Sequence, residues 1–239
     1  MQRKSRALTP SPFRCFNSSP EVIRLVVMMY VRFPLSLRNV EDLLFERGID
    51  ICHETVRFCW NRFGPLFASM IRKRGISAGC FSRHRWHVDE MCVKISGKRH
   101  RLWRAVDHEG EVLESFVTKS RDKAAALKFL KKALKNCGSA SIIVTNGLRS
   151  YPAAMQELGN LYRREMGRWL NNRAENSHLP FRRRERAMLK FRRMQTLQKF
   201  ASVHANIQNH FNDERHLVDR QTYKTRRSAA GAEWQYLAA

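Results

Sequence analysis

A chain of 239 residues with 43% hydrophobic residues can bury a core, which excludes wholesale disorder, and its length suits one large or two modest domains. Its 45 Lys and Arg against 21 Asp and Glu give a formal net charge of +24, so its partners are polyanions, nucleic acid first and a membrane surface second. The most apolar helical run, Val22 to Val31, carries Arg24 and is far too short to span a bilayer, and Met1 to Arg14 has no apolar signal-peptide core.

The positive charge lies at both ends: 13 basic to 6 acidic residues over 1–75, and 17 to 6 over 163–227. That distribution implies at least two phosphate-facing surfaces. Six scattered cysteines without a C-x-x-C pair match zinc ligation poorly and suit reduced, buried thiols in a cytosolic protein.

Residues 1–19 are polar and basic with Pro10 and Pro12, and read as a loose leader. Ser19 and Pro20 then open a helix that is apolar nearly all round, to about Phe33. A second helix fits Ser36 to Arg47, with Gly48 closing it. A third begins near His53, with Val56, Cys59, Trp60 and Phe63 on its apolar face. Its other face carries His53, Arg57 and Asn61 at i, i+4, i+8, with Arg62 beside them. Two amphipathic helices around a short turn, the second with a polar, basic stripe, make a helix-turn-helix candidate over 20–75, with an ordinary three-helix bundle as the competing reading. The net charge favours DNA binding, with His53, Arg57, Asn61 and Arg62 as the contact set.

Arg72 to Gly79, "RKRGISAG", reads as a linker. Beyond it the period changes to that of strands. Trp86 to Ile95, Arg101 to Asp107 and Glu111 to Val117, separated by "SGKRH" and "HEG", predict an antiparallel meander. A helix from Asp122 to Asn136, a buried strand from Ile142, a helix from Leu148 to Leu158 and a short strand at Tyr162 to Met166 follow. The remainder reads as helical: a segment around Glu175, an arginine-rich stretch, then Thr196 to Phe211. These elements predict a mixed α/β sheet over 82–212 with a tail at 213–239.

Asp89 shares strand parity with Met91, Val93 and Ile95, so it points to an apolar face, where a carboxylate needs a partner or a cation. Glu90, beside Lys94, reads as solvated. Asn146 ends the strand that begins at Ile142, at a tip where α/β sheets place functional groups. Glu175 lies in a helical stretch whose other charges are nearly all positive, and Arg182 follows two turns later if Pro180 does not break the helix. Arg183, Arg184, Arg186, Arg192 and Arg193 repel one another unless a phosphate backbone offsets them.

The motifs "WHVDEMCVKISG", "RAVDHEG", "AALKFLKKAL", "VTNGLRSY" and "LNNRAENSHLPFRRRERAM" together resemble the insertion-sequence-six family of bacterial DDE transposases, over nearly the whole chain. The resemblance implies a ribonuclease-H-like fold, three antiparallel strands followed by parallel strands and flanked by helices, behind an all-α helix-turn-helix domain. It implies that Asp89, Asn146 and Glu175 stand at the three catalytic carboxylate positions and Arg182 at the basic residue that follows. In the family three acids hold two Mg²⁺ ions, with Mn²⁺ as substitute. Water then attacks at each transposon end, and the freed 3′ hydroxyl attacks target DNA. Implied partners are double-stranded DNA (terminal inverted repeats and target) and a second copy in a homodimer or larger synaptic assembly, on the nucleoid in a bacterial cytoplasm and away from membranes.

The sequence departs from the family at Asn146, where an amide removes one of three negative charges. Asp107 and Asp122 lie in a strand-end turn and at a helix start and are not expected to substitute. The otherwise intact frame points to a single-residue change, with an Asn146 to Glu175 interval that is short for such enzymes generally. The implied function is a transposase impaired in cleavage and strand transfer. The alternative is a non-catalytic transposon-end DNA-binding protein or inhibitor.

Overall fold

The sheet is built around the strand that carries Asp89. In a computed structural model describing residues 11–77, 84–167, 169–188, 191–212 and 218–238, three helices come first: α1 (Pro20–Arg32), α2 (Leu37–Phe45) and α3 (His53–Ser77). Then follow β1 (Arg85–Ile95), β2 (Lys98–Asp107), β3 (Val112–Thr118), α4 (Lys123–Cys137), β4 (Ile142–Thr145), α5 (Ser150–Glu157), β5 (Arg164–Glu165), α6 (Asn172–Ala187), α7 (Met194–His210) and α8 (Arg220–Gln235). The strand order is β3-β2-β1-β4-β5. β1, β2 and β3 pair antiparallel, while β4 joins β1 and β5 in parallel. This is the ribonuclease-H-like arrangement expected from the sequence.

Local chemistry explains the boundaries. Ser19 caps α1 through Val22 N–H, with Pro20 at the first helical position. Ser36 and Asn39 form a reciprocal capping box on α2. Asp122 caps α4 at Ala125 N–H, 2.8 Å. The turn between β1 and β2 is tighter than expected. Only Ser96 and Gly97 lie outside the strands, both with positive φ, 47° and 80°, and Lys98 to His100 belong to β2. Consecutive positive φ values match the twist of a two-residue hairpin.

Helices cover both faces of the sheet. Trp86, Val88, Trp103, Ala105 and Ile143 pack with Phe129, Leu130, Tyr151 and Met155 of α4 and α5. Met91, Val93, Ile95, Leu102 and Val117 share a second core with α1, α3, α6, α7 and α8. Residues of the proposed helix-turn-helix segment and of the sheet thus meet in one core.

Three sequence expectations are corrected. The linker is helical as far as Ser77, its remainder lying outside the described residues. The leader is not loose from Ser11 onward: Phe13 is buried and stacks on Phe63 at 5.2 Å. The C-terminal segment is not a tail, because α8 buries Trp234 completely against Phe67 and Phe211.

Candidate active site

Strand pairing assembles the site. Val88 on β1 pairs in parallel with Thr145 on β4, so the next residues of the two strands, Asp89 and Asn146, come side by side. Asn146 Nδ2 donates to Asp89 Oδ1 at 2.5 Å and lies 3.3 Å from Glu90 Oε2. Asn146 Oδ1 accepts from Leu148 N–H at 3.0 Å, which fixes the amide's orientation. The other Asp89 oxygen meets His178 Nε2 at 3.1 Å. Asp89 is 8% exposed, as its parity requires, and both its oxygens are engaged.

α6 is pinned to β1 beside the carboxylate. Asn171 Nδ2 donates to the Val88 carbonyl at 3.1 Å. His87 Nδ1 lies 2.9 Å from the Leu170 carbonyl and therefore carries the proton; burial pushes the His87 pKa down. The helix then runs unbroken through Pro180 and buries Ala174, His178, Phe181 and Arg184 at helical spacing.

Glu90 is a correction. It is not solvated: its side chain is 1% exposed and points to the α4/α5 side. Arg121 forms an ion pair with it, and Tyr151 donates to it from 2.9 Å. Burial and this carboxylate raise the Tyr151 pKa well above that of free tyrosine, so the phenol keeps its proton.

Other expected site residues are placed differently. Glu175 is exposed, one turn before His178, and no hydrogen bond or ion pair joins it to Asp89 or Asn146. Arg182 does not face Glu175; it donates to the Cys92 carbonyl and pairs with Glu185 at 2.7 Å. Arg184 is not at the surface. It is 1% exposed, donates to the Tyr30 carbonyl and stands 4.2 Å from the Tyr30 ring centroid, tying α6 to α1. Arg183, Arg186, Arg192 and Arg193 are exposed.

On α3, His53 is half-buried between Glu41 at 3.0 Å and Glu54 at 3.5 Å, so it joins α2 to α3 rather than facing outward. Arg57 is exposed and pairs with Glu54 at 2.7 Å. Asn61 is exposed, but its Oδ1 accepts from Lys199 of α7 at 3.1 Å. Arg62 is exposed. The outward stripe is thus Arg57, Asn61 and Arg62.

As they stand, these residues do not fit the two-cation centre implied by the sequence. The Asn146 amide turns N–H donors, not its oxygen, toward the two carboxylates. His178 occupies the second oxygen of Asp89, and exposed Glu175 is bonded to neither Asp89 nor Asn146. Among the described residues, no three His, Cys, Asp or Glu side chains are grouped to hold a metal ion. Asn146 instead supplies the positive end of a dipole where carboxylates converge.

Residues 83–214 match the family model described as a DDE domain. The transposase for the insertion sequence-like element IS431mec of Staphylococcus aureus is 30% identical over 171 residues, covering 70% of this chain and 75% of that protein. The transposase for insertion sequence element IS257 in transposon Tn4003, also from Staphylococcus aureus, is 29% identical over 171 residues, with the same coverage. Among solved structures, the HTLV-2 integrase catalytic core domain in complex with magnesium (trimeric form) aligns with a TM-score of 0.42 at 15% identity, covering 60% of this chain and 97% of that one.

Proposed function

We propose that this chain, which belongs to the insertion-sequence-six family of DDE transposases, binds transposon-end DNA through a transposase frame whose strand-cleaving centre is held inactive by Asn146. The family's general activity is polynucleotidyl transfer. The observation that carries the proposal is the 2.5 Å hydrogen bond from the Asn146 amide to Asp89. An aspartate there would turn a third carboxylate toward Asp89 and Glu90, a cluster that calls for a cation. The amide satisfies the same acceptors without one. The Asp89 carboxylate is then locked as a hydrogen-bond acceptor. No step of strand transfer follows from this arrangement.

The +24 net charge supports duplex DNA as partner, with two ends brought together by two or more copies. No described helix is long and apolar enough to cross a membrane; we place the protein on nucleoid DNA in a bacterial cytoplasm. Incubating labelled end duplex with the protein and Mg²⁺ or Mn²⁺ tests the proposal. Retarded but uncut DNA is the expected result, and efficient cutting overturns it.

Two surfaces make separable contributions. Arg57 can exchange Glu54 for a base edge, so Arg57→Ala in the full chain is expected to weaken end binding by about 1–3 kcal/mol, with little change on random duplex. Equal losses on both duplexes in a gel-shift titration would assign Arg57 to the backbone instead. Arg183 and Arg193 are exposed and suited to phosphate contact. Neutralising both is expected to lower affinity for every duplex and flatten the slope of log affinity against log salt by about 0.9 per lost contact. An unaltered slope would leave these side chains facing only solvent.

A further inference from the structure

Between β2, α6 and the last turns of α7 lies a cavity of about 140 Å³. Arg104, Asn176, Ser177, His204 and Gln208 are among its lining residues. Arg104 is 1% exposed. Its Nη1 donates to the Ser177 carbonyl, while Nε and Nη2 have no hydrogen-bond partner among the described residues. Asp89 lies directly across from Arg104 in the strand register, yet gives its oxygens to Asn146 and His178. Among the described residues no carboxylate forms an ion pair with Arg104. Burial lowers its pKa to about 9, which leaves it charged at neutral pH.

His204, also 1% exposed, has neither ring nitrogen hydrogen-bonded to a described residue. Burial, with Arg104 and Arg184 nearby, holds its pKa well below that of free histidine, so it stands as a neutral imidazole with one N–H to offer. Burying a guanidinium without a counter-charge is strongly unfavourable. Arg184 stands over the Tyr30 and Phe200 rings and Arg104 stands 5.0 Å from the Phe181 ring centroid, but only Arg104 also lines an open volume.

We propose that this cavity binds a small tetrahedral oxyanion of the phosphate class, held by the buried charge of Arg104 beside neutral His204 and by the N–H donors of Asn176 and Gln208. The anion is either free phosphate or a phosphate of bound DNA. The site is independent of whether the chain cuts DNA.

Calorimetric titration of the full chain with inorganic phosphate, at ionic strength fixed with chloride, tests this. One phosphate per chain is expected. Arg104→Gln should weaken it roughly ten- to a hundred-fold, the scale of a lost charge-assisted hydrogen bond. Arg226→Gln, an exposed arginine, should leave it unchanged. Saturating end duplex that displaces phosphate would assign the site to a DNA phosphate, and simultaneous binding would assign it to a free ion. If Arg104→Gln does not fold, Gln208→Glu places a carboxylate in the cavity; it should raise the Tm in phosphate-free buffer and abolish phosphate binding. No binding to the parent chain, equal binding to Arg104→Gln, or a destabilised Gln208→Glu that still takes phosphate would overturn the proposal.

Discussion

Replacing Asn146 with aspartate is expected to restore metal-dependent cleavage of transposon-end DNA, by at least about 10²-fold over the parent chain, the scale of regaining one principal transition-state contact. The side chains are nearly isosteric, so the backbone of β4 and its pairing with β1 need not change. The electrostatics do change. Asp89 Oδ1, 2.5 Å from the amide nitrogen, and Glu90 Oε2, 3.3 Å away, would face an anionic oxygen instead of a donor. Without divalent cations Asn146→Asp should therefore be less stable than the parent by about 1–3 kcal/mol, and Mg²⁺ should recover that loss. End-DNA affinity without metal should barely move. A stable Asn146→Asp protein that binds ends and stays inactive on a complete transposon substrate would place the lesion elsewhere, and exposed Glu175 becomes the next position to examine.

Trp234→Ala is expected to cost about 3–5 kcal/mol of folding stability, read from the urea midpoint of the full chain. Trp234 is completely buried, packs edge-on to Phe67 at 5.4 Å and lies 5.6 Å from Phe211. Its indole N–H donates to the Arg24 carbonyl at 3.1 Å, and Arg24 Nε returns a bond to the Leu237 carbonyl at 2.8 Å. These contacts close α8 over α1 and α3. A loss below about 1 kcal/mol, the size of an ordinary surface substitution, would make the C-terminal segment the dispensable tail that its composition suggests.

That contrast shows how far the sequence reaches. α8 reads "RQTYKTRRSAAGAEWQ", polar on every face, with one large apolar residue near its end. No periodicity marks such a helix; an indole entering an aromatic pocket, with Leu237 buried just beyond the helix, docks it. Strand parity did place Asp89 correctly, because Met91, Val93 and Ile95 meet the helical core. It failed for Glu90 because helices cover both faces of this sheet, so both parities are buried. The position of Asn146 was legible from a short apolar strand ending in a glycine turn. Its bond to Asp89 was not, since it depends on the register between β1 and β4. Among the arginines, the run of charge concealed a signal that was present: Ala174, His178, Phe181 and Arg184 recur at helical spacing and mark the buried face of α6. The same spacing identifies His178, which the sequence reading did not single out. His53 was read outward because the stripe continues through Arg57 and Asn61, but Glu41 on the neighbouring helix draws it in.

On the proposed reading, the Asn146 amide that bonds Asp89 stands where a cation would otherwise hold that carboxylate. Stoichiometric Mn²⁺ binding, followed by electron paramagnetic resonance on the full chain, on Asn146→Asp and on Asn146→Asp combined with Asp89→Asn, measures this directly. The expected result is no Asp89-dependent Mn²⁺ site in the parent chain, a bound ion in Asn146→Asp, and its loss when Asp89 is also removed. A stoichiometric Mn²⁺ site in the parent chain that disappears on Asp89→Asn would contradict it.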